Sequence, residues 1–226
     1  MTYDNQTIND IFEWDINNWS KALNLWESYL QNSPGKVALT VGEKNGGLTL
    51  WLGLNNILVY STDVEGVTEQ AKETHSKYQI SGNVVYDKAN FLDLHYADNT
   101  FDIVAFKSVL GGLRTEESQQ MALDEAFRVL KPGGMLFFAE NLQATYFHMM
   151  MRKFFIKWGG YWRYLKFTDL NKLLYKFSSV RYNTYGFWGT FGRNENQRQI
   201  LSSFDDIFCN FVPEKHRYII FGVCIK

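Results

Sequence analysis

Residues 124–140, DEAFRVLKPGGMLFFAE, constrain the fold more than any other stretch of this chain. The pattern predicts a helix that ends at Leu130, where Lys131-Pro132-Gly133-Gly134 stops it. Proline cannot continue a helix, and glycine can take the left-handed conformation that closes one. An apolar strand over residues 135–139 follows almost at once. A helix that turns directly into a buried strand indicates an alternating α/β fold.

The rest of the chain continues this alternation. The patterns predict helices at residues 48–54, 68–78 and 115–130, and strands at residues 37–41, 57–60, 83–86, 101–106 and 135–139. Strands that alternate with helices predict a parallel, doubly wound sheet with helices on both faces. Two late strands, at residues 180–185 and 218–225, are separated by a long polar stretch and predict a closing hairpin at one sheet edge.

The beginning of the chain has a different pattern. Trp19, Leu23, Trp26 and Leu30 fall at helical spacing, and Asn-Ser-Pro-Gly at residues 32–35 then breaks the chain. We therefore expect a helical N-terminal extension at residues 1–35 and one main domain at residues 36–226.

Composition excludes several classes of protein. Two cysteines, Cys209 and Cys224, cannot form a multi-disulfide framework or an all-cysteine zinc site, and no residue cluster has metal-ligand spacing, so no metal is predicted.

The N-terminus lacks the pattern of a secretory signal, and no run approaches the roughly 20 apolar residues of a membrane span. We expect a cytoplasmic protein without a transmembrane segment. A net charge of −1 gives no reason to expect nucleic acid as a partner.

Two features are typical of nucleotide binding. Residues 37–48, VALTVGEKNGGL, place glycines between a strand and a helix, where a cofactor can approach the backbone. Asp63 lies just past the second strand, 63 − 42 = 21 residues after Gly42, which is the spacing of an acid that binds a ribose diol. The alternatives are a plain turn that binds nothing and an aspartate that caps the next helix.

The KPGG segment, residues 98–104 (DNTFDIV) and Asp63 together resemble class I S-adenosylmethionine (SAM) dependent methyltransferases over about residues 36–141. The resemblance implies a Rossmann-like α/β fold: a three-layer αβα structure with a seven-stranded sheet whose last strand is antiparallel. It also implies SAM as the cofactor. Residues 142–215 would then supply a cap on the side of the methyl acceptor.

The family's cofactor loop is typically acid-x-Gly-x-Gly-x-Gly, and this chain departs from it twice. Gly42 and Gly46 match the first and third glycines, whereas Lys44 replaces the middle glycine and Thr40 replaces the acid. A side chain at Lys44 restricts conformations that glycine would allow. Glu43 is a candidate to replace the missing acid. The resemblance assigns the loop, with Val41 at its start, to cofactor binding.

Further cofactor contacts follow from the same alignment. Asp63 would bind the SAM ribose, with Val64 beside the adenine. Asn90 occupies the position that usually holds the adenine amino group, and Phe91 the position that covers the ring; an asparagine oxygen can still accept that hydrogen bond.

The loop after the fourth strand and the end of the fifth strand supply the remaining candidates. Lys107 or Ser108 would contact the cofactor carboxylate or the acceptor, although Lys107 also fits a solvated charge at a strand end. Glu140 could orient or deprotonate an acceptor nucleophile, or cap the next helix. His148 is a second catalytic candidate, although a lone histidine is more often structural.

Residues 142–167 contain no acid and five basic residues, interleaved with aromatics. They fit a cap over an aromatic or anionic acceptor, a membrane-surface helix through residues 144–167, a nucleic-acid contact, or an amphipathic helix with a solvated basic face.

The resemblance to class I methyltransferases implies methyl transfer from SAM, and we expect an unidentified small-molecule or glycan-type acceptor. The alternative is a methyltransferase-like binding or scaffold protein that has lost SAM. The oligomeric state is not predicted.

Overall fold

The computed structural model describes residues 3–30, 35–155 and 161–226. Most of the predicted break at residues 32–35, and residues 156–160 of the basic segment, lie outside these ranges.

A seven-stranded sheet organises the chain, with the order β3-β2-β1-β4-β5-β7-β6. Its strands are β1 (Val37–Val41), β2 (Leu58–Asp63), β3 (Val84–Lys88), β4 (Phe101–Lys107), β5 (Leu130–Asn141), β6 (Ser179–Tyr185) and β7 (Ile219–Ile225). The first five strands pair in parallel, and β7 is antiparallel to both β5 and β6. The predicted sheet with an antiparallel last strand is confirmed.

Helices cover both faces of the sheet. Within the described residues they are α1 (Asn5–Phe12), α2 (Ile16–Trp19), α3 (Lys21–Leu30), α4 (Gly47–Leu54), α5 (Glu69–Lys77), α6 (Glu116–Val129), α7 (Tyr146–Phe155), α8 (Leu170–Leu173) and α9 (Glu195–Phe208). None of these helices is both long and apolar enough to cross a membrane.

Alternate residues of each central strand point into two separate apolar layers. Ala38 packs with residues of α1–α4, whereas its neighbour Leu39 packs with residues of α6 and α8. This two-residue period is the geometry of a strand buried on both faces. The three-layer αβα fold is therefore confirmed.

The N-terminal helices belong to one of these layers. Trp26 of α3 is buried against Trp51 of α4 and Phe137 of β5, and its indole nitrogen donates to the Gly222 carbonyl at 3.2 Å. Phe12 at the end of α1 stacks on Trp26, with 6.3 Å between the ring centroids, so the end of α1 also lies close to the sheet. The domain boundary expected after residue 35 stays a prediction.

The KPGG segment differs from its prediction. β5 begins at Leu130 rather than at residue 135, because Leu130 pairs with Phe101 and Met135 pairs with Ile103. The four residues between them bulge out opposite a single partner, and Gly133 takes a positive φ of 75° there. The segment ends the helix as expected, but it does so as a bulge inside the strand pairing.

The polar stretch between the last two strands is also more ordered than expected. It contains α9, which begins after Asn194, whose side chain accepts from the Gln197 amide. The sequence Asn-Glu-Asn-Gln there is an N-cap signal that the prediction overlooked.

Candidate active site

The predicted site residues gather at one edge of the sheet. β1, β2, β4 and β5 are mutually parallel, and they end at Val41, Asp63, Lys107 and Asn141. From β1 the chain winds outward through β2 and β3 and then returns to β4 on the other side of β1. Ligands of open α/β sheets bind in the crevice at such a reversal, outside the carboxyl ends of the strands.

The backbone conformation of the loop after β1 explains why glycine occurs at positions 42 and 46 and why lysine is accepted at position 44. Gly42 and Gly46 have positive φ values of 70° and 76°, whereas Lys44 does not have a positive φ. A Cβ on Gly42 would also lie 2.5 Å from Val109 Cγ2. The glycines are therefore required where they occur, and a side chain at Lys44 causes no backbone strain.

Polar groups beneath this loop are satisfied internally. The Thr40 hydroxyl lies 2.8 Å from the Thr49 hydroxyl, which donates to Ser61 at 2.7 Å. The buried Glu43 carboxylate accepts from the Thr49 amide at 2.9 Å, in the first turn of α4, and burial raises the pKa of Glu43 to about 7. Glu43 thus caps α4, and Thr40 belongs to a neutral hydroxyl chain.

Asp63 and Val64 lie at the open part of this edge. One carboxylate oxygen of Asp63 accepts from the Glu65 amide at 3.1 Å, and the side chain remains half-exposed. Val64 is exposed beside it. The glycine-bounded crevice and this accessible carboxylate fit SAM.

Asn90 and Phe91 differ in their surroundings. Asn90 is exposed, and its amide oxygen accepts from the Leu92 amide at 3.0 Å. Phe91 is buried, with its ring centroid 5.4 Å from that of Phe106, so it belongs to the apolar layer beneath the crevice. Their predicted contacts with adenine stay predictions.

Lys107 is neither solvated nor free. Its ammonium group is buried, donates to the Phe12 carbonyl at 2.9 Å, lies 3.5 Å from Glu13 and lies 3.7 Å from the centroid of a Trp14 ring. Burial lowers the pKa of Lys107, and the neighbouring carboxylates oppose that shift. Lys107 therefore holds the chain after α1 over the end of β4.

Two cavities lie next to these contacts of Lys107. The glycine-loop cavity, about 130 Å³, is bounded by residues 42–47, Glu13, Trp14, Lys107 and Ser108. The aromatic cavity, about 120 Å³, is lined by Trp14, Trp19, Trp162, Tyr164 and Tyr218, with Asp15, Ser108, Asn141, Arg152, Thr190 and Arg198. Both cavities share Trp14 and Ser108, so they meet at the ends of β4 and α1.

Asp15 is an acidic residue that lines the aromatic cavity. It has left-handed backbone angles (φ 47°, ψ 46°), and its amide donates to Glu195 of α9 at 2.9 Å. The side chain is 3% exposed; Oδ2 accepts from the Tyr218 hydroxyl, and Oδ1 has no hydrogen-bond partner among the described residues. Burial raises the pKa of Asp15 to about 8. A strained, buried, incompletely bonded carboxyl group is typical of a functional position.

Two donors of the same cavity are also unsatisfied. Among the described residues, Nη2 of Arg152 and Nε1 of Trp162 have no hydrogen-bond partner. The Trp162 indole lies directly against Gly111, where any Cβ would collide with it. The residues that line the cavity therefore include one buried acceptor oxygen and two buried donors that lack a hydrogen-bond partner among the described residues.

Glu140 holds the loop after β4 instead of facing a cavity. It is fully buried, and its Oε1 accepts from the amides of Val109 (2.5 Å) and Leu110 (2.7 Å). Burial raises the pKa of Glu140 to about 7, although these amides oppose the shift. The carboxylate is directed at backbone donors at the start of the short 3-10 helix at Leu110–Leu113, and its predicted catalytic role stays a prediction.

His148 is a buried residue of α7 with partners for both ring nitrogens. It is fully buried; Nδ1 lies 2.6 Å from the Thr145 hydroxyl, and Nε2 lies 2.9 Å from the Phe187 carbonyl. Burial lowers the pKa of His148 to about 4, which keeps the ring neutral. Both ring nitrogens are engaged within the protein, and the predicted catalytic role of His148 stays a prediction.

Apart from Ser108, sequence patterns do not single out the residues that line the aromatic cavity as site residues. Arg152 is one of the five basic residues of the segment 142–167. A signal was present for Arg152, since an acid-free, aromatic segment after β5 contains it. No local signal distinguishes Asp15, which is brought to the site by contacts with distant α9. Among the described residues, no cluster of His, Cys, Asp and Glu has the geometry to bind a metal.

Comparison with known proteins identifies the family to which part of this chain is similar. Residues 39–138 match the family model of a methyltransferase domain. A ubiquinone/menaquinone biosynthesis C-methyltransferase of Hydrogenovibrio crunogenus is 34% identical over 116 residues, which cover 50% of this chain and 44% of that protein. The chain spans about half the length of the curated relatives it matches.

Solved structures share the fold at low identity. Phosphoethanolamine N-methyltransferase 2 of Haemonchus contortus, in complex with SAM, has a TM-score of 0.65 and 14% identity, covering 92% of this chain and 52% of that chain. A SAM-dependent methyltransferase of Archaeoglobus fulgidus has a TM-score of 0.62 and 14% identity, covering 92% and 93%.

The family match and the sheet topology together show that this chain contains a class I SAM-dependent methyltransferase domain. The predicted family is therefore confirmed, and so is SAM as the cofactor of that domain class.

Proposed function

We propose that this protein transfers the methyl group of SAM to a small-molecule acceptor bound in the aromatic cavity. The observation that carries the proposal is the shared wall of the two cavities. The glycine-loop cavity lies where SAM binds in this domain class, and Trp14 and Ser108 connect it to the aromatic cavity. An acceptor in the aromatic cavity would thus lie next to the cofactor, as methyl transfer requires.

Residues at the sheet edge would hold the cofactor. In the proposal, residues 41–46 and Ser108 contact its methionine part, Asp63 binds the ribose, and Val64 and Asn90 lie near the adenine. SAM, when bound, supplies an electrophilic methyl group. Lys107 acts indirectly, because it fixes Trp14 over the crevice.

Asp15 replaces Glu140 and His148 as the proposed proton acceptor. Its Oδ1 lacks a partner among the described residues, its carboxyl group lines the cavity, and its pKa of about 8 suits proton transfer near neutral pH. When the acceptor nucleophile forms its bond to the methyl carbon, its proton would pass to Asp15. The Tyr218 hydroxyl keeps Asp15 oriented.

The acceptor of the relatives cannot be assigned to this chain from the family match alone. Apart from Ser108, every residue that lines the aromatic cavity lies outside residues 39–138, which match the family model. The small volume favours a small molecule over a glycan chain. Two buried free cysteines support the proposed cytoplasmic location.

Calorimetric titration with S-adenosylhomocysteine (SAH) tests cofactor binding. We expect saturable binding, and Asp63→Ala should weaken it more than tenfold because the ribose loses its acceptor. Glu65→Ala, a matched loss of an exposed neighbouring carboxylate, should change it less than twofold. Absence of heat and of thermal stabilisation at millimolar SAH would favour the scaffold alternative. An unchanged affinity of Asp63→Ala would refute the ribose assignment.

A peripheral membrane contact is a separate proposal for residues 144–167. In the described part of this segment, Tyr146 and Phe154 are 85% and 73% exposed, and exposed Lys153 lies beside them. Exposed aromatic and basic side chains on one helix suit an anionic lipid surface. We expect sedimentation with anionic liposomes that added salt reverses; no sedimentation at low salt would end this proposal.

A further inference from the structure

Arg152 carries a buried positive charge without a carboxylate partner. It is 3% exposed, and no described carboxylate lies within ion-pairing distance of it. None of the residues outside the described ranges is an Asp or Glu. By contrast, Arg128 pairs with Glu125 and Arg163 pairs with Glu116. A buried charge without a counter-ion is costly, of the order of several kcal/mol, so a missing partner is significant.

The local contacts of Arg152 satisfy only part of its guanidinium group. Nη1 donates to the Leu142 carbonyl at 2.7 Å, and the Tyr164 ring lies 4.2 Å from the guanidinium carbon. Nη2 has no hydrogen-bond partner among the described residues. The backbone contact fixes the position of the group and leaves one donor for a ligand.

The surroundings of Arg152 form a built cavity. Trp162, with its unpartnered indole N–H, lines the same cavity, so two buried donors lack acceptors there. The volume of about 120 Å³ admits only a small molecule, since a cavity of roughly 150 Å³ holds one benzene ring. An oxyanion would supply both the missing countercharge and the missing acceptor atoms.

We propose that the methyl acceptor carries an oxyanion, either a carboxylate or a phosphate group, that binds Arg152 in the aromatic cavity; this inference rests on the function proposed above. Asp15 lines the same cavity, and its free oxygen suits the nucleophilic O–H or N–H of the same molecule. The acceptor is then a small molecule that carries both an oxyanion and a nucleophile.

Titration of the SAH-saturated protein with three probes tests the inference. Acetate, acetamide and inorganic phosphate are added at constant ionic strength while binding is followed by NMR. We expect acetate or phosphate to bind and acetamide not to bind. Stronger binding of phosphate indicates a phosphate monoester as acceptor, and stronger binding of acetate a carboxylate. Equal behaviour of acetate and acetamide, without phosphate binding, overturns the inference.

Variants assign the effect to Arg152. Arg152→Gln should weaken anion binding at least tenfold with SAH affinity unchanged, Arg152→Lys should retain part of it, and Lys153→Gln, the loss of an exposed charge on the same helix, should leave it intact. Equal anion binding in Arg152→Gln and wild type also overturns the inference. If Arg152→Gln does not fold, the acetate–acetamide comparison on wild type decides. Failure of wild type to bind SAH would instead count against the proposed function.

Discussion

At the residue scale, Asp15 is held in a strained conformation by groups that are far away in sequence. Its left-handed backbone is fixed by Glu195, and its side chain by Tyr218. An aspartate tolerates this conformation better than most residues, but it still costs about 1 kcal/mol or more. The contacts that impose it also keep the carboxyl group at the wall of the cavity.

The titration of Asp15 is a direct prediction. In carboxyl-carbon NMR, we expect one aspartate to titrate near pH 8, and Asp15→Asn to remove that titration. Saturation with SAM should lower this pKa more than saturation with SAH, because a nearby positive sulfonium favours the carboxylate. Asp93→Asn, at an exposed site, should leave the titration in place. An Asp15 that titrates below pH 5, or identically with SAM and SAH, would exclude it as the proton acceptor.

Predictability from sequence differed between cofactor and acceptor residues. Gly42, Gly46 and Asp63 follow strands directly, so a local pattern was enough to bring them to one edge. Glu140 was also predicted to lie there, but its role depends on amides thirty residues earlier in the chain. Asp15 and Arg152 meet only through tertiary packing, which no short pattern encodes.

At the element scale, the turn after β4 depends on one buried carboxylate. Glu140 caps the 3-10 helix at Leu110–Leu113, and Ser108, two residues before it, has a positive φ of 56°. Since Ser108 lines both cavities, Glu140 positions the junction between them.

Glu140 should therefore affect the pH dependence of stability. Its pKa is raised from 4.5 to about 7 in the folded protein, so the folded state retains a proton that the unfolded state releases. This contribution to stability is complete below about pH 4.5 and is lost as the pH rises through 7. In urea unfolding between pH 5 and 8, Glu140→Gln should show a flatter pH dependence than wild type. Parallel curves for the two proteins would contradict this linkage, and Glu117→Gln, at an exposed site, should retain the wild-type slope.

Two elements show why bounds are harder to predict than element types. The KPGG segment has strong turn chemistry, yet Leu130 still pairs with β4, because the strands accommodate the four residues as a bulge. α9 was missed because its polar composition concealed its cap at Asn194. Both differences arise from pairing or capping that outweighs composition.

At the scale of the whole molecule, the part of the chain that matches a known family and the rest of the chain form different cavities of the site. Residues 39–138 match a methyltransferase family and supply the crevice at the reversal of strand order. The N-terminal helices and the chain after β5 supply nearly all of the aromatic cavity. The crevice could be predicted from the sequence because family motifs cover residues 39–138. The aromatic cavity could not, because it is formed by contacts between residues that are far apart in sequence.

The structure of the complex with SAH tests the central claim most directly, because it fixes where the transferred methyl group would point. We expect the ribose hydroxyls on Asp63 and the sulfur atom at the junction of the cavities, facing Ser108 and Trp14. SAH bound with its sulfur directed away from the aromatic cavity, or bound at a different edge of the sheet, would contradict the account.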